Sequence, residues 1–456
     1  MTETNAGNRP LKVCLISHSD TIGGASMVTY RLMHALRQEG VDARMIVYAK
    51  TTDSPEVVCL GSRNMRGIKF MLERGRIALS NGFSRENLFK VSIANVGQRV
   101  ADHPWVREAD VICLAWINQG LLSINGIRAL GRLGKPIVWT MHDMWCLTGI
   151  CHHAFECGNY RQQCGNCRFL GVGGAHDLSN SVWRKKKKLY DEVPVTFVAV
   201  SNWLAGCARA SSLLGGSDVR VIPNAFPVNT FSTKAKKPSA MLPFSSDEQL
   251  IVMGAARLDD PIKGFSYAID ALNILFDNRP DIARSARAVF FGNLRDRSLL
   301  DRLRFPYVYL QRINDTGVLS DLYASAKVVL STSLYETLPG TLIEGQAAGC
   351  LPVTFGHGGQ ADIVTHLKDG YIAEYLDAES VAKGIIWALN RRVDREALHE
   401  SVRERFAASK IARRYIDLFN ELLDARKSGR DGVLERVKRR TAGAEREQKG
   451  ASDRSV

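Results

Sequence analysis

From Lys12 to Gly356 the chain repeats one pattern: a short β-branched run, a turn, then a longer stretch with helical periodicity. That alternation constrains the fold more than any other feature, because it specifies parallel strands joined by covering helices. In the first half the runs are "KVCLISHS" (Lys12–Ser19), "RMIVYA", "DVICLAW", "PIVWTM" and "TFVAVS". After the first run comes "DTIGGAS", then "MVTYRLMHALRQEG", where Val28, Leu32, Ala35 and Leu36 form one apolar helix face. In the second half the runs are "LIVMGAA", "RAVFFGN", "YVYLQ", "VVLSTS" and "LPVTFG". Between them, "PVNTFSTKAKKPSAMLPFSSDEQ" has no period and is rich in Pro, Ser and Lys, as expected of a linker.

A chain of 456 residues exceeds what one core supports, so two large units are expected. The expected division is an N-terminal Rossmann-like, acceptor-side domain over 1–226 with a Cys-rich loop at 146–167, and a linker over 227–249. A nucleotide-sugar-binding Rossmann-like domain over 250–405, C-terminal helices over 406–425 and a basic, disordered tail over 426–456 follow. No internal repeat relates the halves.

No apolar run reaches the roughly 18 residues that a crossing helix needs. The N-terminus "MTETNAGNRPLK" has no apolar signal core, so a cytoplasmic protein is expected. The net charge is +14, and the tail from Arg426 contributes ten Lys/Arg against five Asp/Glu. Further basic clusters stand at "RGIKFMLERGR" and "WRKKKKLYDE". Either these are solvated helix faces, or their mixture of cations and apolar residues fits an anionic membrane surface. No nucleic-acid reading motif accompanies the charge, so nucleic acid is not an expected partner.

The stretch "SLYETLPGTLIEGQAAG" places Glu336 and Glu344 on either side of a Pro-Gly pair, just after a strand. Ligands collect at the carboxyl ends of such strands. Pro339 suits the first position of the next helix and Gly349 the position past its end. Free amides at that helix start favour a phosphate, and a carboxylate in its second turn can take a ribose diol. Arg257 directly follows a strand and Lys263 lies six residues on, a pair of cations suited to a diphosphate. In the first half, His142 and Asp143 follow "PIVWTM", and Gly23-Gly24 occupies the first strand-to-helix turn, where backbone can approach a ligand.

These motifs resemble the large retaining glycosyltransferase family 4 of the two-Rossmann (GT-B) architecture. The resemblance rests on the Glu336/Glu344 pair, on Arg257 and Lys263 within "ARLDDPIKG", and on "VIPNAF" and "GGQADIV". "GGAS", "WINQG" and "HDMWCLTG" carry it in the first half, most closely like bacterial capsule, exopolysaccharide and colanic-acid-type transferases. It implies an α/β fold with two doubly wound domains facing across a cleft. The implied function is retaining transfer of a sugar from a nucleotide-diphosphate sugar to a saccharide or lipid-linked acceptor in surface polysaccharide synthesis. No cofactor is required in that chemistry. By the resemblance, Glu344 binds ribose, Arg257 and Lys263 the diphosphate, Glu336 the donor sugar region, and His142 is the catalytic histidine. Gly24, Leu338, Pro339 and Gly340 complete the donor site. Gly340 and Gly345 stand where the family often has Asn and Ala. A nucleotide-sugar 2-epimerase of the same fold and a non-catalytic sugar-binding protein are the alternatives.

Cys151, Cys157, Cys164 and Cys167 give C-x5-C-x6-C-x2-C, with His152 and His153 as competing ligands. In a cytosolic chain this spacing argues against disulfides and for either a structural zinc or free thiols in a packed loop.

Overall fold

The computed structural model describes residues 9–235 and 247–429. Most of the expected basic tail and the middle of the expected linker lie outside these residues. The chain divides into two compact units, the first comprising residues up to 200, 204–222 and those from 411, the second comprising 201–203 and 223–410.

In the first unit β1 (Lys12–Ser19) leads through α1 (Gly24–Gln38) to β2 (Asp42–Ala49) and the short β3 (Val57–Cys59). Helices α2 (Arg63–Ser80) and α3 (Pro104–Glu108) precede β4 (Val111–Leu114). Then α4 (Ile124–Gly131), β5 (Ile137–Met141), α5 (Leu178–Glu192), β6 (Thr196–Ala199), α6 (Asn202–Ala210) and β7 (Asp218–Val221) follow. All strands run parallel in the order β3-β2-β1-β4-β5-β6-β7. The central β4, β5 and β6 are buried at every residue, which is why they read as unbroken apolar runs. Trp139 of β5 stacks on Phe197 of β6 with centroids 6.0 Å apart.

The second unit contains β8 (Gln249–Arg257), α7 (Phe265–Asn278), α8 (Pro280–Ser285), β9 (Ala286–Asn293), α9 (Ser298–Asp301) and β10 (Tyr307–Leu310). Next come α10 (Thr316–Ser325), β11 (Ala326–Ser331), α11 (Gly340–Ala347), β12 (Leu351–Phe355) and β13 (Tyr371–Ala373). Helices α12 (Ala378–Asn390), α13 (Arg395–Phe406) and α14 (Ala408–Lys427) close the chain. The six strands are parallel in the order β10-β9-β8-β11-β12-β13, over a core that includes Ile269, Leu272, Phe290, Leu330 and Phe355. From Ile411 onward α14 belongs to the first unit, where it buries Ile411, Tyr415, Leu418 and Phe419, and Tyr415 shares a 2.8 Å hydrogen bond with Thr140 of β5.

Three strands escape the sequence reading: β3, β7 and β13 are short, and each lies at a sheet edge. Edge strands lack the two-sided burial that makes an apolar run conspicuous. Pro339 also departs from expectation, since it caps α11, whose first residue is Gly340.

Both sheets have a topological switch point, at β1/β4 and at β8/β11, where neighbouring strands send their following chains to opposite sides. At the second, the turn after β8 is stitched to the end of β11. The Leu334 N–H donates to the Ile262 carbonyl (2.8 Å), and the Thr332 hydroxyl donates to the Gly264 carbonyl (2.8 Å). Gly264 makes this approach feasible. Its φ is +60°, and a Cβ there would lie 2.0 Å from the Thr332 carbonyl oxygen. Gly264→Ala is therefore expected to destabilise the second unit by about 1–3 kcal/mol in denaturant titration. At Gly24 an added Cβ meets nothing within 4 Å, and Gly24→Ala is expected to change stability by less than about 1 kcal/mol in the same assay.

Candidate functional site

The stitched turn brings two of the expected residues into contact. Lys263, in the turn after β8, forms an ion pair with Glu336, in the loop after β11. Both are half-buried. Burial pulls the Lys263 ammonium down, but the Glu336 carboxylate outweighs it and holds the ammonium above its ordinary value. Lys263 therefore stays charged at neutral pH.

The loop carrying Glu336 is fixed from its other side as well. The Gly359 N–H donates to the Glu336 carbonyl (2.8 Å), and the buried Gln360 amide donates to the Ser333 carbonyl (2.9 Å). A Cβ on Gly359 would sit 1.8 Å from the Thr337 carbonyl oxygen, so "GGQ" allows a close backbone crossing. Four residues after Glu336 the chain enters α11, whose N-terminus has no side-chain cap and no acidic residue in its first turn. Its leading amides are thus available to an anion. Glu344 lies in the second turn, half-buried, close enough to Tyr323 to help raise the phenol, which burial raises first. Leu338 is buried and Pro339 caps the helix.

Arg257 occupies the end of β8 beyond a register shift, where Gly254 leaves room for Phe291. Its guanidinium pairs with Asp260 (2.9 Å) and approaches Asp259 (3.8 Å), while its Nε and the Asp259 Oδ1 have no hydrogen-bond partner among the described residues. The two expected phosphate cations are thus each held by an acid of the site, Lys263 by Glu336 and Arg257 by Asp260.

An aromatic group, not expected from the sequence, stands over the same loop. Trp203 meets Tyr335 edge-on (5.1 Å), and His357 stacks on Tyr375 (4.4 Å) and lies 5.6 Å from Tyr335. Asp362 holds the start of α6, which bears Trp203, by accepting the Asn202 N–H (2.8 Å) and side-chain amide (2.6 Å). These residues come from segments up to 172 positions apart in number (203 and 375), so no local pattern marks them.

In the first unit the expected His142 follows β5, and its Nε2 lies 3.5 Å from Thr29 on α1. Burial pulls it down to about 4 against the opposing influence of Asp143, so the ring is neutral at pH 7. Asp143 is the hub. Its Oδ2 accepts from the Trp116 indole (2.8 Å) and pairs with His152 Nδ1 (2.6 Å), and its Oδ1 accepts the Trp145 N–H (2.8 Å). Burial alone would raise this carboxyl, but His152 and His153 and the Trp145 amide bring it down to about 2. Gly24 opens α1, which has no side-chain cap, next to Gly23 at φ +88°. Asp20, also unforeseen, is fully buried and accepts the backbone and hydroxyl donors of Thr51 and Thr52, which tie the β1–α1 loop to the end of β2.

The four cysteines of the expected zinc set lie close enough to act on one another electrostatically. Among the described residues no three His, Cys, Asp or Glu side chains are placed to hold one metal ion. The competing ligand His152 is committed to Asp143 and Ser92, and Cys164 accepts the Gly149 N–H (3.2 Å) in a buried position. Cys151, Cys157, Cys164 and Cys167 are free thiols, two of them buried in the packed loop.

Comparison with known proteins matches the two halves separately. The profile for Glycosyltransferase Family 4 covers residues 22–229, and that for Glycosyl transferases group 1 covers 242–405. An uncharacterized glycosyltransferase of Methanocaldococcus jannaschii is 27% identical over 183 residues, 38% of this chain and 45% of that protein, so the match spans less than half of that relative. Among solved structures, a Rickettsia africae glycosyltransferase aligns over 91% of this chain and 99% of its own at 15% identity, TM-score 0.60. Sucrose-phosphate synthase of Thermosynechococcus elongatus aligns over 91% and 100% at 16% identity, TM-score 0.61. Anabaena Alr3699/HepE, solved with UDP and glucose, aligns over 90% and 99% at 15% identity, TM-score 0.59. These likenesses show the fold, which is of GT-B type.

The depressed His142 value sets a pH dependence. Between the ordinary pH 6.5 and about 4 the unfolded chain takes up the His142 proton and the folded chain does not, so stability falls as pH falls through that window. Asp143 acts lower: its contribution is present above about 3.8 and is lost toward about 2. In thermal melts, His142→Gln is expected to show a shallower drop in Tm from pH 6.5 to 4 than the unmodified chain. Equal slopes would remove His142 as the cause.

Proposed function

With a chain built from a Glycosyltransferase Family 4 half and a group 1 glycosyl transferase half as the premise, we propose that it moves a hexosyl group from a nucleotide-diphosphate sugar to a saccharide or lipid-linked acceptor. We place this reaction in surface-polysaccharide assembly, in the cytoplasm at the inner membrane face, with retention at the anomeric carbon. The observation that carries the reading is the Lys263–Glu336 pair, contributed from the two strands that flank the switch point of the second unit. A charged lysine at that position, next to the uncapped start of α11, suits a diphosphate leaving group.

In this reading the diphosphate is met by Lys263, Arg257 and the leading amides of α11, among them that of Gly340, within the segment Leu338–Gly340. Glu344 takes the ribose hydroxyls, and Glu336 meets the donor sugar while orienting Lys263. In the first unit, neutral His142 offers a hydrogen bond to a sugar hydroxyl, and the Gly24 turn gives backbone access. The bond from the anomeric carbon to the diphosphate oxygen breaks and a bond to the acceptor oxygen forms on the same face. The acceptor's proton passes to the departing diphosphate. Positive charge develops on the anomeric carbon, so stabilising the leaving anion lowers the barrier. Each step uses side chains and backbone alone.

Incubation with a panel of UDP- and GDP-sugars, followed by mass spectrometry, tests the activity. Transfer or slow donor hydrolysis is expected. Interconversion of the donor sugar would replace the reading with an epimerase, and binding without turnover would replace it with a sugar-binding protein. Lys263→Ala is expected to lower kcat by about 10²–10³, and Glu344→Ala to weaken nucleotide-sugar binding by about 10–100-fold in calorimetry. Unmodified rates and affinities in both variants would remove the site assignment.

A further inference from the structure

Helix α2 buries two charged residues beside Ile77 and leaves several apolar residues exposed. It buries charge: Glu73 is 0% exposed and Arg74 5%. The Glu73 carboxylate accepts the N–H groups of Ile93 (2.8 Å) and Ala94 (3.0 Å), and Arg74 donates to the carbonyls of Val91 (3.1 Å) and Leu88 and to the Ser92 hydroxyl (3.3 Å). Those bonds fix which side of the helix faces inward. The outward side then presents Met65, Ile68, Met71, Leu72 and Leu79, spaced three, four and seven residues apart, so they form one stripe. Met71 is 65% exposed and Leu72 55%, and beyond the helix Phe83 is 74% and Phe89 63% exposed. Single exposed apolar side chains are ordinary, but a contiguous stripe marks an interaction surface.

Charge identifies what covers it. Between residues 62 and 90 the exposed charged side chains are Arg63, Arg76, Arg85 and Lys90 against the single exposed carboxylate Glu86. Arg76 also opens onto a cavity of about 590 Å³, where Arg128, Lys185 and Lys188 face only one carboxylate, Glu192. A second copy of the chain packed two-fold on this stripe would set these cations against their own equivalents, a repulsive arrangement. An anionic bilayer satisfies both features, with phosphates at the cations and the headgroup–acyl boundary around the apolar stripe. None of the helices among the described residues is long and apolar enough to cross a membrane, so attachment of this kind lies flat on the surface.

We propose that α2 and the loop through Phe89 dock this chain on an anionic lipid bilayer, with Met71, Leu72 and Phe83 entering the interface and Arg76, Arg85 and Lys90 meeting lipid phosphates. The inference deepens the membrane-face part of the functional reading and leaves its chemistry independent. Sedimentation of the full chain with phosphatidylglycerol-containing and pure phosphatidylcholine vesicles tests it. Binding to the anionic vesicles alone is expected, falling at least about tenfold between roughly 50 and 300 mM salt. Met71→Ser/Leu72→Ser/Phe83→Ser is expected to lose binding about tenfold or more with its melting temperature and its turnover of soluble donor unchanged. Arg76→Gln/Arg85→Gln/Lys90→Gln is expected to bind more weakly and with a shallower salt dependence. Failure of the unmodified chain to bind anionic vesicles at low salt, or equal binding by the triple serine variant, overturns the proposal. So does a concentration-dependent dimer that the serine substitutions abolish, which would assign the stripe to a second copy. Lost vesicle binding with intact donor turnover counts against the docking surface alone, and intact binding without turnover counts against the functional reading alone.

Discussion

Two neighbouring parallel strands, β8 and β11, end side by side and send their chains to opposite sides of the sheet, and the rest of the candidate site depends on how that gap is bridged. The bridge is backbone: Leu334 to Ile262 and Thr332 to Gly264, close enough that only a glycine fits at 264. Because the two loops are joined at the main chain, the long Lys263 side chain reaches Glu336 with little freedom left to lose. An ion pair in a half-buried place is weak as a source of stability. Its consequence here is positional: Glu336 keeps the Lys263 ammonium charged at the carboxyl edge of the sheet, where the following helix also offers amides.

The first unit solves a similar problem with a hub in place of a stitch. Asp143 gathers an indole, an imidazole and a backbone amide, and those donors, stronger than the burial that opposes them, keep it ionised. At its neighbour His142 burial outweighs the opposing influence of Asp143 and holds the ring neutral. Two adjacent titratable residues at one strand end are thus driven in chemically opposite directions, one to a fixed charge and one to a neutral donor and acceptor. His152, which the sequence offers as a metal ligand, is consumed in building this hub.

Helix α2 shows a local pattern whose orientation depends on a segment distant from it in number. As a sequence it is a basic segment with scattered apolar residues, equally suited to a solvated face or a membrane face. The backbone of 91–94 supplies the donors and acceptors that allow Glu73 and Arg74 inside, and that choice leaves the apolar side out. The helix orientation follows from the partners that 91–94 offer Glu73 and Arg74, since burying either charge without any partner would cost more than exposing several apolar side chains.

The amino-acid sequence alone determined the class of fold, because two-sided burial in a parallel sheet forces unbroken apolar runs and the crossovers force helices between them. It also marked Arg257, Lys263, Glu336, Glu344 and His142, since charges placed just past such runs stand out. The edge strands β3, β7 and β13 stayed hidden, being short and only partly covered. Tertiary structure alone decided which charges meet: that Lys263 pairs with Glu336 while Arg257 turns to Asp260, and that His152 pairs with Asp143. The same holds for the aromatic group of Trp203, Tyr335, His357 and Tyr375. The reason is physical: periodicity reports the environment of one element, whereas contacts between loops depend on how adjacent strands, distant in number, place their ends.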